Sequence, residues 1–211
     1  MKKVIVIMGL GLACMSQVFA DGGKAPSNFV VLDKTSNAYV ETHEVTIESW
    51  NAYLSFIKEV SGETSEYYQE SLPNDEICRQ AYKTDDYLTN PEFKSYPIVG
   101  ITYEQAILFC KWRTDNENRN KKTSNTTMYI YSMLTESEFQ NAFDLQSVKT
   151  KVKTISAVNT KAKEVTGIAD NVKEMTLNKK VVVDEGSNGL RFENYSNAAA
   201  NVGFRCKVVL K

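Results

Sequence analysis

The residue types able to do chemistry are few in this chain, and their spacing narrows them further. Three cysteines, Cys78, Cys110 and Cys206, lie beyond the N-terminal leader. They stand too far apart for a zinc ribbon or a thioredoxin-like pair, so in an exported chain they read as one disulfide and one spare thiol, with the pairing open. The single histidine, His43, excludes a histidine-rich metal centre and would have to be the base of any Ser-His-Asp triad. It stands among Thr42, Glu44 and Thr46 with no Gly-x-Ser-x-Gly segment to serve, and a strand-end imidazole is the simpler reading. Phosphate-loop and dinucleotide fingerprints are absent. Asp85-Asp86 and Asp184-Glu185 read as solvated turns rather than a glycosidase pair. The run Asp170-Asn171-Val172-Lys173-Glu174 combines carboxylate, amide and backbone oxygens, a donor set that suits calcium, but it lacks the EF-hand spacing.

The leader itself sets the compartment. Lys2 and Lys3, an apolar run from Val4 to Met15, and Val18-Phe19-Ala20 have the form of a signal peptide cut after Ala20. That leaves residues 21–211 as one exported domain, periplasmic or in the cell envelope. The apolar run is shorter than the about 20 residues that span a bilayer, so the mature chain is expected to have no transmembrane span. A competing reading is a lipid anchor at Cys14, where Leu12-Ala13-Cys14 resembles a lipobox but Gly11 replaces its leucine. Cleavage removes two lysines and takes the formal net charge from −1 to −3, a balance that excludes nucleic acid as a partner.

The elements that must position these residues follow from periodicity and caps. Tyr96 to Arg113 joins a Pro- and Gly-punctuated strand to a helix opened by Thr102 and Gln105, a capping-box pair. Ala106, Phe109, Cys110 and Arg113 share one helix face, which turns Cys110 inward. Phe29 to Leu32 and Ala38 to Val45 read as strands around a polar turn. A helix capped at Thr46 carries the apolar stripe Trp50, Tyr53, Leu54 and Ile57 and ends at Ser61-Gly62. Glu63 to Pro97, interrupted by Pro73, Pro91 and Pro97, reads as ordered irregular loop. Thr114 to Thr127 reads as a brief continuation of the central helix followed by a solvated loop without chemistry. Met128 to Met133 reads as a strand, and Thr135 with Glu138 opens a short helix with Phe139, Ala142 and Phe143 inside. Asp144 to Thr166 reads as lysine-protected edge strands, Val181 to Val183 as a strand, Asp184 to Asn201 as a loop, and Val202 to Val209 as the closing strand. The mixture makes an α+β domain.

Five of these segments, in order, resemble the formylglycine-generating enzyme, or sulfatase-modifying factor, domain family. Glu44-Val45-Thr46 before an aromatic helix resembles its Glu-Val-Thr-Asn entry. Tyr96-Pro-Ile-Val-Gly-Ile-Thr-Tyr-Glu-Gln-Ala, continued by Phe109-Cys110-Lys111-Trp112, resembles Pro-Val-Val-Gly-Val-Ser-Trp-x-x-Ala. Leu134 to Phe139 is similar to Leu-Pro-Thr-Glu-Ala-Glu-Trp without the proline. Asn171-Val172-Lys173-Glu174-Met175 stands where the family has Asn-Val-Trp-Glu-Trp, and Gly203-Phe204-Arg205-Cys206 matches its ending. Cys110 to Asp115 with its hydrophilic insertion, Leu72 to Asp75 and Asn90 to Pro97 look most like the gliding-motility and type IX secretion lipoproteins of Bacteroidetes, which are longer and lipidated.

The resemblance implies a variant of the C-type-lectin fold with much irregular structure. It also implies a Cys110–Cys206 disulfide and calcium ligation by Asn171 and Glu174. Active members of the family carry a copper-binding pair of redox cysteines before the Gly-Phe-Arg-Cys ending, whereas here Glu185 to Asn197 holds no cysteine. Without that thiolate pair the oxidase chemistry has no nucleophile. The expectation is a non-catalytic exported domain with a structural or protein-interaction role in the cell envelope. The alternative is a lectin-like ligand-binding module that uses the loop Asn188 to Asn201, with Asn188, Arg191, Asn194, Tyr195 and Asn197 as contacts.

Overall fold

The computed structural model describes residues 24–122, 124, 126–146, 154–185 and 189–211. The leader with Cys14, the run Val148 to Val152 and Asn188 lie outside them.

The first sheet forms around the closing strand. Strands β1 (Phe29–Asp33) and β2 (Ala38–Glu41) make a hairpin, and β8 (Cys206–Leu210) lies between β2 and β3 (Tyr129–Met133), giving the antiparallel order β1-β2-β8-β3. The register Met133↔Cys206, Tyr131↔Val208 and Tyr129↔Leu210 puts one buried row against the helices. The second sheet has the order β6-β5-β4-β7, from β4 (Lys173–Met175), β5 (Lys180–Asp184), β6 (Leu190–Asn194) and β7 (Val202–Gly203). Only β7 runs parallel to its neighbour β4 within it.

Helix α1 (Ile47–Ser61) starts where the Thr46 side chain accepts from the Ser49 amide and stops at Gly62, as the caps predict. Helix α4 (Tyr103–Asn120) carries the Thr102–Gln105 capping box, and α5 (Glu136–Asp144) the Thr135–Glu138 one. The apolar stripes of α1 and α4 meet over the first sheet. Trp50 stacks on Phe109 with ring centroids 5.4 Å apart and planes within 10°, and Phe204 meets Phe109 edge-on at 5.5 Å. A smaller core gathers Val40, Leu134, Phe139, Phe143, Ile168 and Val182.

Five expectations need correction. Val202 to Val209 is not one strand: Val202–Gly203 pair with β4 in the second sheet and Cys206–Leu210 with β2 and β3 in the first. The segment from Glu63 to Pro97 holds α2 (Glu66–Ser71), α3 (Asp75–Tyr82) and a 3-10 turn (Pro91–Phe93). Ser65 and Asn74 cap the two helices, and Pro73 sits in the connection between them rather than breaking either one. The loop expected from Asp184 to Asn201 contains β6, which pairs with β5 from Lys180↔Asn194 to Asp184↔Leu190. β2 stops at Glu41, and Thr42 to Val45 form a buried connection in which the Val45 amide donates to Phe204 C=O and Val45 C=O accepts from Ile98. Residues 154–166 contain no strand. The expected brief continuation of helix α4 runs to Asn120, where Thr114 and Asn118, one turn apart, satisfy the edge of β3. Thr114 Oγ1 accepts from the Tyr131 amide at 2.9 Å, and Asn118 both accepts from the Tyr129 amide and donates to its carbonyl.

The architecture is α+β. Among the described residues no helix is long and apolar enough to cross a membrane.

Candidate functional site

The buried connection Glu41–Thr46 brings the polar groups of this protein together. Glu41, Thr42, His43 and Glu44 are each no more than 4 % exposed. Two arginines answer them. Arg113, one turn beyond Cys110 on α4, donates to both Glu41 oxygens at 2.8 and 3.0 Å, and its guanidinium lies 4.7 Å from the Tyr131 ring centroid and 5.1 Å from that of Phe29. Arg205, just before β8, donates from Nε and Nη2 to the two Glu174 oxygens and from Nη2 to Thr166 C=O at 2.8 Å. Burial works against each guanidinium charge, and the facing carboxylate more than offsets it.

Glu44 is the second carboxylate at this centre. Its Oε2 is 4.0 Å from Arg205 Nη2, and its Oε1 is buried with no hydrogen-bond partner. Burial pushes its pKa up to about 8; the Arg205 charge opposes that rise and the Glu174 charge adds to it. Gly167, at φ +71, covers this carboxyl, and a Cβ there would stand 3.2 and 3.3 Å from its two oxygens. Burial, reinforced by the neighbouring Glu174 charge, therefore favours the protonated form of Glu44 beside the Arg205 guanidinium.

Asn171 and Glu174 do not fit calcium. Both Glu174 oxygens are held by a cation, and Asn171 Oδ1 accepts from the Ser156 amide at 2.9 Å while its Nδ2 donates to Ser156 C=O. Among the described residues no group of three or more His, Cys, Asp or Glu side chains could hold a metal ion.

Cys110 and Cys206 are brought together by α4 and β8, with their sulfurs 3.8 Å apart as buried thiols. The hydrogen bond between them and then burial hold the Cys110 thiol well above its ordinary pKa. Cys78 is separate; its Sγ lies 3.3 Å from Val99 C=O, and burial pushes its pKa up to about 11. His43 lies with Nδ1 2.8 Å from Glu44 C=O, where the ring nitrogen must donate.

No family model, no curated protein and no solved structure matches this chain.

The residues expected to form a ligand loop divide between surface and core. Arg191, Asn194 and Asn197 are exposed, and Arg191 is paired with Glu185 and Glu193. Tyr195 is a core residue instead, because its hydroxyl donates to Ile101 C=O at 2.8 Å and burial pushes its pKa up to about 12. The expected set therefore does not converge on one surface, while a groove of about 430 Å³ does open nearby. It is lined from α3, residues 154–155, the 169–173 turn and the Ala200-Asn201 pair. Sequence reading missed this groove, Glu44 and the Glu41–Arg113 pair. The only signal for them was an unbroken polar run, Glu41 to Glu44, in front of a well-capped apolar helix.

Proposed function

We propose that this chain is an exported, non-enzymatic domain that serves as a structural or protein-interaction component of the cell envelope. Its fold is read as a formylglycine-generating-enzyme-like variant of the C-type-lectin fold, with Cys110 and Cys206 joined by a disulfide once the chain reaches an oxidising compartment. A link to gliding or type IX secretion rests on the resemblance of the Cys110 to Asp115 and Leu72 to Asp75 segments alone.

One observation carries this reading. The side chains that could perform chemistry, Cys110, Cys206, His43, Glu44 and Glu174, are all at most 4 % exposed: the two cysteines face each other, Glu174 and Glu44 face Arg205, and His43 bonds the Glu44 carbonyl. Buried groups of that kind support a scaffold, whereas a catalytic group must reach substrate. Affinity capture with the full chain from cell-envelope fractions is expected to recover a defined partner, and incubation with a sulfatase-type Cys-containing peptide is expected to leave its cysteine unoxidised. Cysteine oxidation on the peptide, with no partner recovered, would overturn the reading.

A second reading, a ligand-binding module, draws on the exposed Arg191, Asn194 and Asn197 along and beyond β6. Alanine at Asn194 and Asn197 is then expected to abolish ligand binding at an unchanged melting temperature. Tyr195 is left out of that test because its loss would damage the core.

A further inference from the structure

We propose that the outer edge of β6 pairs with β6 of a second copy of this chain, giving a two-fold dimer in which the second sheet runs on through both molecules. The inference goes beyond the envelope reading and does not depend on it.

The sheet edges are not alike. β1 carries a bulge between Val31 and Asp33, α4 covers β3 through Thr114 and Asn118, and β7 is only two residues long. Bulges, covers and short strands are the ways in which an edge is kept from pairing. Among the described residues β6 has none of them: it stays in unbroken register with β5 from Lys180↔Asn194 to Asp184↔Leu190.

The hydrogen bonds at the two ends of that ladder decide which main-chain groups are free. The Tyr195 amide donates to Lys179 C=O, and the Glu185 amide to Gly189 C=O. Alternation along an antiparallel pair then turns the amides and carbonyls of Arg191 and Glu193 toward β5, and those of Leu190, Phe192 and Asn194 toward the open edge. Among the described residues no other strand or loop bonds that second set.

Placed antiparallel about Phe192, two such edges match. Phe192 faces Phe192 of the second copy, and Leu190 faces its Asn194. All of these residues have their amide and carbonyl turned outward, so each pair exchanges both main-chain hydrogen bonds. Leu190 and Phe192 are only partly buried where they pack on the smaller core, and the facing Phe192 covers what is left open.

The intervening positions set the register. Arg191 of each copy stands directly opposite Glu193 of the other, on the face away from Phe192. Sliding one strand by two residues keeps the main-chain match but sets Arg191 against Arg191, or Glu193 against Glu193. Opposite charges across a strand pair stabilise it and like charges destabilise it. The edge is therefore complementary to itself in the register centred on Phe192, as a two-fold contact requires. Within one copy Arg191 already bonds Glu185 and Glu193, so the dimer gathers these charges into one network.

Sedimentation velocity on the full chain at low ionic strength, from about 1 to 500 μM, tests the pairing. Wild type is expected to pass from monomer to dimer across that range. Arg191→Glu makes both positions acidic and Glu193→Arg makes both basic. Each variant alone is expected to dimerise at least about tenfold more weakly, with the far-ultraviolet circular dichroism of wild type. Mixed in equal amounts, the two variants oppose unlike charges at both positions and are expected to form a heterodimer. A wild type that stays monomeric up to about 500 μM, single variants that dimerise as wild type does, or a mixture that stays monomeric would each overturn the proposal.

Discussion

Arg205 and Glu174 pair side-on through two hydrogen bonds inside the protein, with Nε–Oε2 at 2.6 Å and Nη2–Oε1 at 2.9 Å and neither side chain exposed at all. The pair ties the approach to β8 to β4, so it joins the two sheets through charge as well as through packing. It also explains why a carboxylate placed like a metal ligand in the sequence is not one in the fold.

Removing one partner should be costly. Glu174→Gln or Arg205→Met alone leaves an uncompensated buried charge or an unpaired fork, and such changes cost about 3–5 kcal/mol. Replacing both by apolar residues of similar volume should recover much of that loss. Urea unfolding of the two single variants and the double variant measures it. Single variants no worse than Glu193→Ala, at an exposed pair, would show that the buried pair does not hold the sheets together.

Glu44 makes stability depend on pH with a definite sign. Its native pKa is raised from the ordinary 4.5 to about 8, so the folded protein keeps a proton that the unfolded chain releases. The contribution is fully present below about pH 4.5 and is lost as the pH rises to about 8. Glu44→Gln cannot titrate, and its stability relative to wild type should therefore rise across that window and level off above it. Parallel curves for the two proteins from pH 4 to 9 would mean that Glu44 does not hold the proton.

Local chemistry explains which parts of this molecule were legible in its sequence. The three threonine caps and the stripes of α1, α4 and α5 were readable because a cap and its partner lie three residues apart. Helices α2 and α3 were not, because six and eight residues give little periodicity and the neighbouring Pro73 looks like a breaker. The polar centre is harder still. Arg205 meets Glu174 across 31 positions and Glu41 C=O across 164, and no spacing rule links residues so far apart. Glu174 looked available to a metal because its partner sits in a different motif. The proximity of Cys110 and Cys206, 96 positions apart, was reached only through resemblance.

The cysteines give a direct chemical test. Non-reducing digestion of the protein produced in an oxidising compartment should yield one linked peptide containing Cys110 and Cys206, with Cys78 alkylated only after denaturation, since it is fully buried. Closing a 96-residue separation is worth about 4–5 kcal/mol in the chain-entropy model, so Cys110→Ser should lower the denaturation midpoint of the oxidised protein strongly and that of the reduced protein much less. A linked peptide containing Cys78 would contradict both the bond and the fold reading built on it.

The edge of β3 offers the last prediction. Asn118 occupies the Tyr129 amide and carbonyl, and Thr114 the Tyr131 amide, so a helix covers an edge that would otherwise present free main-chain groups beside Ile130, which is 37 % exposed. Asn118→Ala should cost about 1–3 kcal/mol, the penalty for leaving buried polar groups unpaired. It should also promote strand-edge association, seen as concentration-dependent light scattering below the melting temperature. Asn116→Ala, on the same helix but bonded among the described residues only to exposed Asn120, serves as the control and should stay within about 0.5 kcal/mol of wild type without scattering. Equal behaviour of the two variants would mean that the polar end of α4 is a solvated extension, as its composition alone indicates, and that β3 is protected some other way.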